Sequence, residues 1–217
     1  MPTKTRNKIK SDKFVLARLE TDKDFQRAIS FDCGEPDLND FFKEDAINHK
    51  AHLLAETYCL QPIISKKSIL FYPVAYISFL NDHVPLTREE KKEDKKLFWK
   101  EIKKRIPYKL SSYSTFPAVK IGRLGVHRDY QRHHIGSYLL NMTKEFFLTH
   151  NRTGCRFITV DSYNNPITIN PDFDSKCGFS QKNINNINES VREFFIDIID
   201  VFLRKTALIS MKVSVSF

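Results

Sequence analysis

The stretch from Lys120 to Leu140 constrains the fold more than any other, because its pattern changes period over a short span. Ile121, Leu124 and Val126 form a short apolar strand that ends near Val126. Residues 127–134 then carry two arginines, three histidines and one aspartate. From Ile135 the apolar positions recur at helical spacing, through Leu139, Met142 and Phe146. A strand feeding a helix through a basic loop aims backbone N–H groups and the positive helix end at one point. Such a point suits a pyrophosphate. The alternative is an ordinary basic connection that binds nothing.

The following segment, Cys155 to Val160, reads as a second short strand. Strand, crossover helix and strand make a βαβ unit with parallel strands. Ligands of open α/β sheets sit beyond the carboxyl ends of such strands. The loops after Val126 and Val160 both open there.

Upstream, Phe14 to Leu19 reads as a first strand. Thr21 offers a helix N-cap with Asp24 three residues on, and this helix runs to about Ser30. Phe31-Asp32-Cys33-Gly34 is a turn. Pro36 opens a second helix, with Leu38, Phe41, Phe42 and Ala46 on its inner face, continuing to about Leu53. Thr57 to Gln61 and Ile69 to Leu80 form an antiparallel hairpin around a turn at 65–68, with a bulge or an edge position at Pro73.

Residues 1–13 read as a basic tail and 14–217 as one domain, with a charged helical insertion at about 87–106. That insertion is a solvated amphipathic helix or, on a sharper reading, an RNA or partner surface; Trp99 within it reads as a packing anchor. Asn165 and Pro166 start a further helix that Pro171 shortens or breaks. Ser190 to Leu203 reads as an apolar helix and Thr206 to Val215 as a closing strand. The apolar helix packs in the core or across a dimer interface, so both monomer and homodimer stand open.

The chain has 217 residues, 41% of them hydrophobic, enough for one sizeable core. It lacks a run of 18 apolar residues, which predicts no membrane span. The basic N-terminus is followed by no apolar run and does not read as a signal peptide. Four cysteines without Cys-x-x-Cys spacing read as reduced cytoplasmic thiols and give no support to a metal site. The net charge of +9 suits a polyphosphate ligand, RNA or an acidic partner, and charge alone does not choose among them.

Gln131-Arg132-His133-His134-Ile135-Gly136 resembles the coenzyme A loop of the GNAT acetyltransferase superfamily, Gln/Arg-x-x-Gly-x-Gly/Ala. The second glycine is present as Gly136; the first is replaced by His134. If that position takes positive φ, histidine tolerates it better than most side chains and worse than glycine. Asn165, Phe173, Gly178 and Phe179 match a second superfamily pattern, but Asp174 stands where its tyrosine falls. Phe31-Asp-Cys-Gly and the spaced Leu38, Phe41 and Phe42 resemble a narrower branch that includes acetyltransferase toxins of bacterial toxin–antitoxin pairs.

The resemblance implies a mixed α/β, three-layer GNAT-like fold: a twisted central sheet splayed between two parallel strands, with helices on both faces. It implies acetyl-CoA as cosubstrate and no metal. The backbone of Leu124, Gly125 and Val126 would line the pantetheine arm and the acetyl carbonyl. Gln131, Arg132, His133, His134, Ile135, Gly136 and Ser137 would cradle the pyrophosphate. Asn165 would bond the pantetheine amides, or serve only as a helix cap.

Acetyl transfer to an amine needs attack geometry, fixed donors for the oxyanion and routes for protons. Asp174 is a poor stand-in for the usual proton-donating tyrosine, because a carboxylate has no proton to give near neutral pH. Tyr163 and Tyr138 are the candidate substitutes. The strand before the loop carries Lys120 and no carboxylate to act as base. An α-amine, with its lower pKa, needs a base less than a lysine does.

Three functions follow. The first is an acyl-CoA-dependent N-acetyltransferase acting on a primary amine by direct attack in a ternary complex. The second is a toxin-type enzyme acting on aminoacyl-tRNA, with an antitoxin partner. The third is a coenzyme-binding or interaction module with weakened catalysis.

Overall fold

The computed structural model of the chain describes residues 14–21, 24, 27–63, 73–85, 115–149, 154–163, 180–181 and 191–198. Its strands are β1 (Phe14–Arg18), β2 (Glu56–Pro62), β3 (Ala75–Pro85), β4 (Thr115–Val126), β5 (Phe157–Tyr163), β6 (Ser180–Gln181) and β7 (Val191–Asp197). They form one sheet in the order β1-β2-β3-β4-β5-β7-β6. Among these pairings β4 with β5 is parallel and the others are antiparallel. The parallel pair expected from the βαβ pattern and the mixed sheet implied by the resemblance are both present.

Among the described residues three α-helices accompany the sheet: α1 (Pro36–Asp40), α2 (Ala46–Ala51) and α3 (Ile135–Thr149). A π-helical turn, Phe41–Asp45, joins the first two. Strand alternation separates two cores. Ala75, Ile77, Phe79, Val119, Ile121 and Ile158 pack with Ile135, Leu139 and Leu140 of α3. Tyr76, between Ala75 and Ile77, faces the other way and packs with Cys59, Phe31, Phe41, Phe42 and Ala46. A period of 2 in the strands puts helices on both faces, which gives the three-layer architecture.

The α1–α2 layer follows from its residues. Pro36 occupies the first turn, where a missing N–H costs nothing. The expected inner face holds, with Phe41, Phe42 and Ala46 buried and Leu38 packed beside them. Phe42 stacks on Tyr76 at 4.2 Å between centroids and 2° between planes. Such a pair adds about 0.5–1.5 kcal/mol beyond its burial. The Tyr76 hydroxyl donates to the Leu38 carbonyl at 2.7 Å, tying helix to sheet. At the far end, Leu53 N–H donates to Lys50 C=O at 3.0 Å and Leu54 N–H to His49 C=O at 2.8 Å. This is a Schellman ending with leucine at φ 57°, where glycine is usual.

At the start of the chain, Thr21 N–H donates to the Asp24 carboxylate at 2.9 Å and Asp24 N–H to the Thr21 hydroxyl at 3.4 Å. These are the reciprocal bonds of the expected capping box. The described remainder of that segment is a 3₁₀ turn, Arg27–Ser30.

Two expectations need correction. The segment read as an apolar helix from Ser190 begins instead as β7, in register with β5 from Phe157↔Asp197 to Tyr163↔Val191. A short run rich in aromatic and β-branched residues does not separate strand from buried helix by periodicity. The open edge of β5 supplies the ladder that decides it. Pro73 lies just before β3 rather than within it, and the sheet's irregularity falls between Ser78 and Phe79. The basic tail, the 65–68 turn, the charged insertion with Trp99, and Asn165 through Phe179 lie outside the described residues, as does the closing strand from Thr206. Among the described residues no helix is long and apolar enough to cross a membrane.

Candidate active site

The parallel strands separate partway along their length. β4 and β5 are paired from Ala118↔Phe157 to Ile121↔Val160. Beyond that row each strand stays with its outer neighbour, β4 with β3 as far as Val126↔Ala75 and β5 with β7 as far as Tyr163↔Val191. A fork therefore opens between Gly122–Val126 and Asp161–Tyr163. Its cause is local. On β4, Arg123 pairs with Ser78 and Ile121 with Phe79, which leaves Gly122 as the extra residue of a bulge. Bulges increase twist and bend the strand that carries them. The bulge falls where the pairing with β5 stops.

Backbone groups on the fork side of β4 have no strand partner among the described residues past Ile121. Such groups demand hydrogen-bond partners, and an extended chain of amides would supply them as a strand does. Leu124, Gly125 and Val126 stand on this edge. Gly125 has a steric reason to be glycine: a Cβ there would lie 2.6 Å from the Tyr76 ring and 3.2 Å from Phe31.

The loop after Val126 begins with a 3₁₀ turn, Arg128–Tyr130. Arg132 and His134 both take left-handed backbone, φ 60° and 61°. The residue in the place of the first loop glycine thus adopts the conformation a glycine there would supply. His134 C=O accepts the Tyr138 N–H at 2.9 Å, which makes His134 the residue that opens α3. The amides of Ile135 and Gly136 belong to the first helical turn, which has no intrahelical acceptors. With the helix dipole they form a generic anion-binding end. Ile135 is buried and anchors this end to the core, while Arg132 and His134 are exposed and His133 is half-buried.

Gln131 behaves differently from its neighbours. Its carboxamide donates to the Cys33 carbonyl at 2.6 Å and to the Val126 carbonyl at 3.0 Å. Its own N–H donates to Arg128 C=O at 3.3 Å. The turn it grips is itself cross-braced. Asp32 accepts from Gly34 N–H at 2.9 Å and from the Asn39 amide at 2.8 Å, and Asn39 accepts from Cys33 N–H at 2.9 Å. Arg128 N–H donates to Asp32 C=O at 2.9 Å, and its Nε lies 3.2 Å from the Asp32 carboxylate. The Asn39 bond, then the Gly34 amide, and further Arg128 hold the Asp32 carboxyl below the usual aspartate range. Burial pushes the Cys33 thiol up, away from the reactive thiolate.

Sequence reasoning found no carboxylate on β4. The structure brings one from β5: Asp161 forms an ion pair with Lys120 across the last paired rows, at the root of the fork. The register of the folded sheet shows it, setting Lys120 beside Thr159 and leaving Asp161 one side-chain step further on. Tyr163 ends β5 on the other limb of the fork. Tyr138, on the first turns of α3, packs its ring against Phe14 of β1 at 6.0 Å between centroids. Ser137 follows Gly136 in the first turn of α3 and is half-buried. Asn165 and Asp174 lie outside the described residues. Among the described residues no cluster of three or more His, Cys, Asp or Glu could hold a metal ion.

No family model matches the chain, and no curated protein matches it in sequence. Solved structures do match in shape. AtaT complexed with acetyl-methionyl-tRNAfMet superposes with a TM-score of 0.63 at 20% identity, over 88% of this chain and 98% of that one. AtaTR bound with AcCoA gives 0.58 at 20% identity, over 88% and 98%. A tyrosine-to-phenylalanine mutant of KacT gives 0.63 at 18% identity, again over 88% and 98%. The chain therefore has the fold of these proteins across most of its length.

Proposed function

We propose that this chain is an acetyl-CoA-dependent N-acetyltransferase that acts on a primary amine in a ternary complex. The observation that carries the reading is a combination: a β4 edge with no strand partner past Ile121 among the described residues, running directly into a loop with left-handed Arg132 and His134 and on into the α3 N-terminus. Pantetheine amides would bond the edge at Leu124–Val126. The pyrophosphate would meet the first-turn amides of α3 and the cationic side chains of the loop. Asn165 would add a bond to the pantetheine arm.

In the reaction the amine nitrogen bonds to the acetyl carbon and the carbon–sulfur bond breaks. One proton leaves the nitrogen and one reaches the thiolate. Holding the two reactants in attack geometry is worth about 7–11 kcal/mol, and that is the work a rigid fork does. Tyr163 is the favoured proton donor because it stands on a strand that borders the fork, whereas Tyr138 contacts Phe14 three strands from it. Asp174 is the remaining candidate.

The finer reading is a toxin-type enzyme whose acceptor is the α-amine of an aminoacyl-tRNA and whose partner is an antitoxin. Two observations favour it. The neighbours in fold include AtaT with an acetylated aminoacyl-tRNA, AtaT with the C-terminus of AtaR, and KacTA with DNA. The charge of +9 suits a polyanionic acceptor. The low pKa of an α-amine also lessens the need for a dedicated base.

The tests separate the levels. Isothermal titration with acetyl-CoA should show binding; none at high micromolar concentration overturns the enzyme. Thiol release should follow with aminoacyl-tRNA and respond steeply to salt. Turnover confined to small amines or lysine peptides removes the toxin reading and leaves the enzyme standing. Coenzyme binding without turnover on any amine points to the weakened module instead.

A further inference from the structure

The left-handed loop has to be held. A left-handed residue other than glycine costs about 1–2 kcal/mol, and this loop contains two, with a single residue between them. Such strain persists only where the surroundings fix the segment from outside. On the helix side the fixture is Ile135, 3% exposed in the α3 core. On the strand side it is Gln131, whose two amide protons are given to carbonyls of two different segments, Val126 at the end of β4 and Cys33 in the turn before α1. Between these pins lie only Arg132, His133 and His134.

We propose that Gln131 is a positioning residue, and that the turn Phe31–Gly34 with Asn39 is the abutment it works against. Together they set the affinity of the loop for a diphosphate without touching it. The geometry forms a chain of contacts. Asn39 fixes both Asp32 and Cys33 N–H. Asp32 holds Arg128 through backbone and side chain. Cys33 presents its carbonyl to Gln131. Phe31 fills the space beside Gly125 and meets the His127 ring edge-on at 5.8 Å between centroids. The N-terminal turn therefore touches the end of β4 and three successive parts of the loop: His127, Arg128 and Gln131. Once Gln131 is released, Arg132 and His134 relax toward negative φ and the first-turn amides of α3 no longer meet a preset approach.

This inference rests on the coenzyme reading above, and the experiment distinguishes the two. Binding of coenzyme A is measured by titration calorimetry for the wild type, Gln131→Met, Asn39→Ala and the double variant, each with a thermal melt. Methionine keeps the volume of the side chain and removes both donors. The expected result is roughly tenfold weaker binding for Gln131→Met, the size of one or two lost hydrogen bonds. Asn39→Ala, on α1 and outside the loop, should weaken binding in the same direction, and the double variant should lose less than the two effects combined. Gln131→Arg, which keeps donors, should recover part of the affinity. No coenzyme binding by the wild type defeats the coenzyme reading. Wild-type binding with unchanged affinity in folded Gln131→Met and Asn39→Ala, whatever their melting temperatures, overturns the positioning role.

Discussion

His134 offers the sharpest test of the loop geometry. Its φ of 61° lies in the left-handed region, and its side chain is exposed, so replacing the imidazole removes little burial. The conformation costs an L-residue about 1–2 kcal/mol, and histidine sits near the lower figure. Glycine removes that cost and adds about 0.5–1 kcal/mol of chain entropy lost on folding. His134→Gly should therefore be neutral or stabilise by up to about 0.5 kcal/mol, a rise in melting temperature of at most roughly 1–2 °C in a domain of this size. Valine is the informative contrast, because a β-branched residue at positive φ is a true outlier. His134→Val should destabilise by about 1–2 kcal/mol relative to histidine. Urea titrations of the three proteins read the differences directly, and coenzyme A titration should rank them in the same order, glycine equal or tighter and valine weaker. If valine matches histidine in stability, or glycine is the least stable, the backbone at 134 is not strained and the loop is not the preset cradle described here.

Other consequences follow from the same physical accounting. Leu53 closes α2 at φ 57° and is 87% exposed, so Leu53→Gly should raise stability by about 0.5–1 kcal/mol in a denaturant titration. Gly125→Val should destabilise by roughly 2–3 kcal/mol and so lower the melting temperature sharply, since even its Cβ meets Tyr76 at 2.6 Å; a variant as stable as wild type would disprove the tight packing of Phe31 and Tyr76 on β4. The carboxyl of Asp32 is held low chiefly by Asn39, so its contribution is full above the ordinary aspartate range and is lost as pH falls through the lowered folded value. Asp32→Asn should accordingly flatten the acid limb of a melting-temperature profile, and an unchanged limb would refute the assignment.

The sequence carried the fold where a local pattern and the tertiary structure agree. The Ile135–Thr149 helix, the parallel pairing of β4 with β5, Pro36 at a helix start and the apolar face of Phe41, Phe42 and Ala46 were all legible from period and capping chemistry. The strand at Val191–Asp197 was not, because a short apolar run has no period of its own and β5 imposes its pairing. The Schellman ending at Leu53 escaped for a related reason: leucine gives no sign of positive φ, and the bonds to His49 and Lys50 select it. The site divides along the same line. The path of the loop from strand to helix was legible because strand ends and helix starts are local. The ion pair of Lys120 with Asp161, and the grip of Gln131 on Cys33, join residues far apart in the chain.

That division accounts for the departure at His134. A glycine in a phosphate loop lets the backbone adopt positive φ without help, so the conformation is encoded where it is used. A histidine makes the same φ depend on outside restraint, and the restraint is visible: Ile135 in the core on one side, Gln131 bonded to Val126 and Cys33 on the other. Histidine rather than glycine at 134 and the presence of a cross-braced Phe31–Gly34 turn are then linked features. The link has a consequence that stability alone would not show. In the wild type, weakening the turn through Asn39→Ala should reduce coenzyme affinity, because the loop relies on it. In a His134→Gly background the loop carries its own permission for positive φ, so the same Asn39→Ala change should cost distinctly less affinity. Equal losses in the two backgrounds would show that the turn and the residue at 134 act independently, and the account of how this loop keeps its shape would fail.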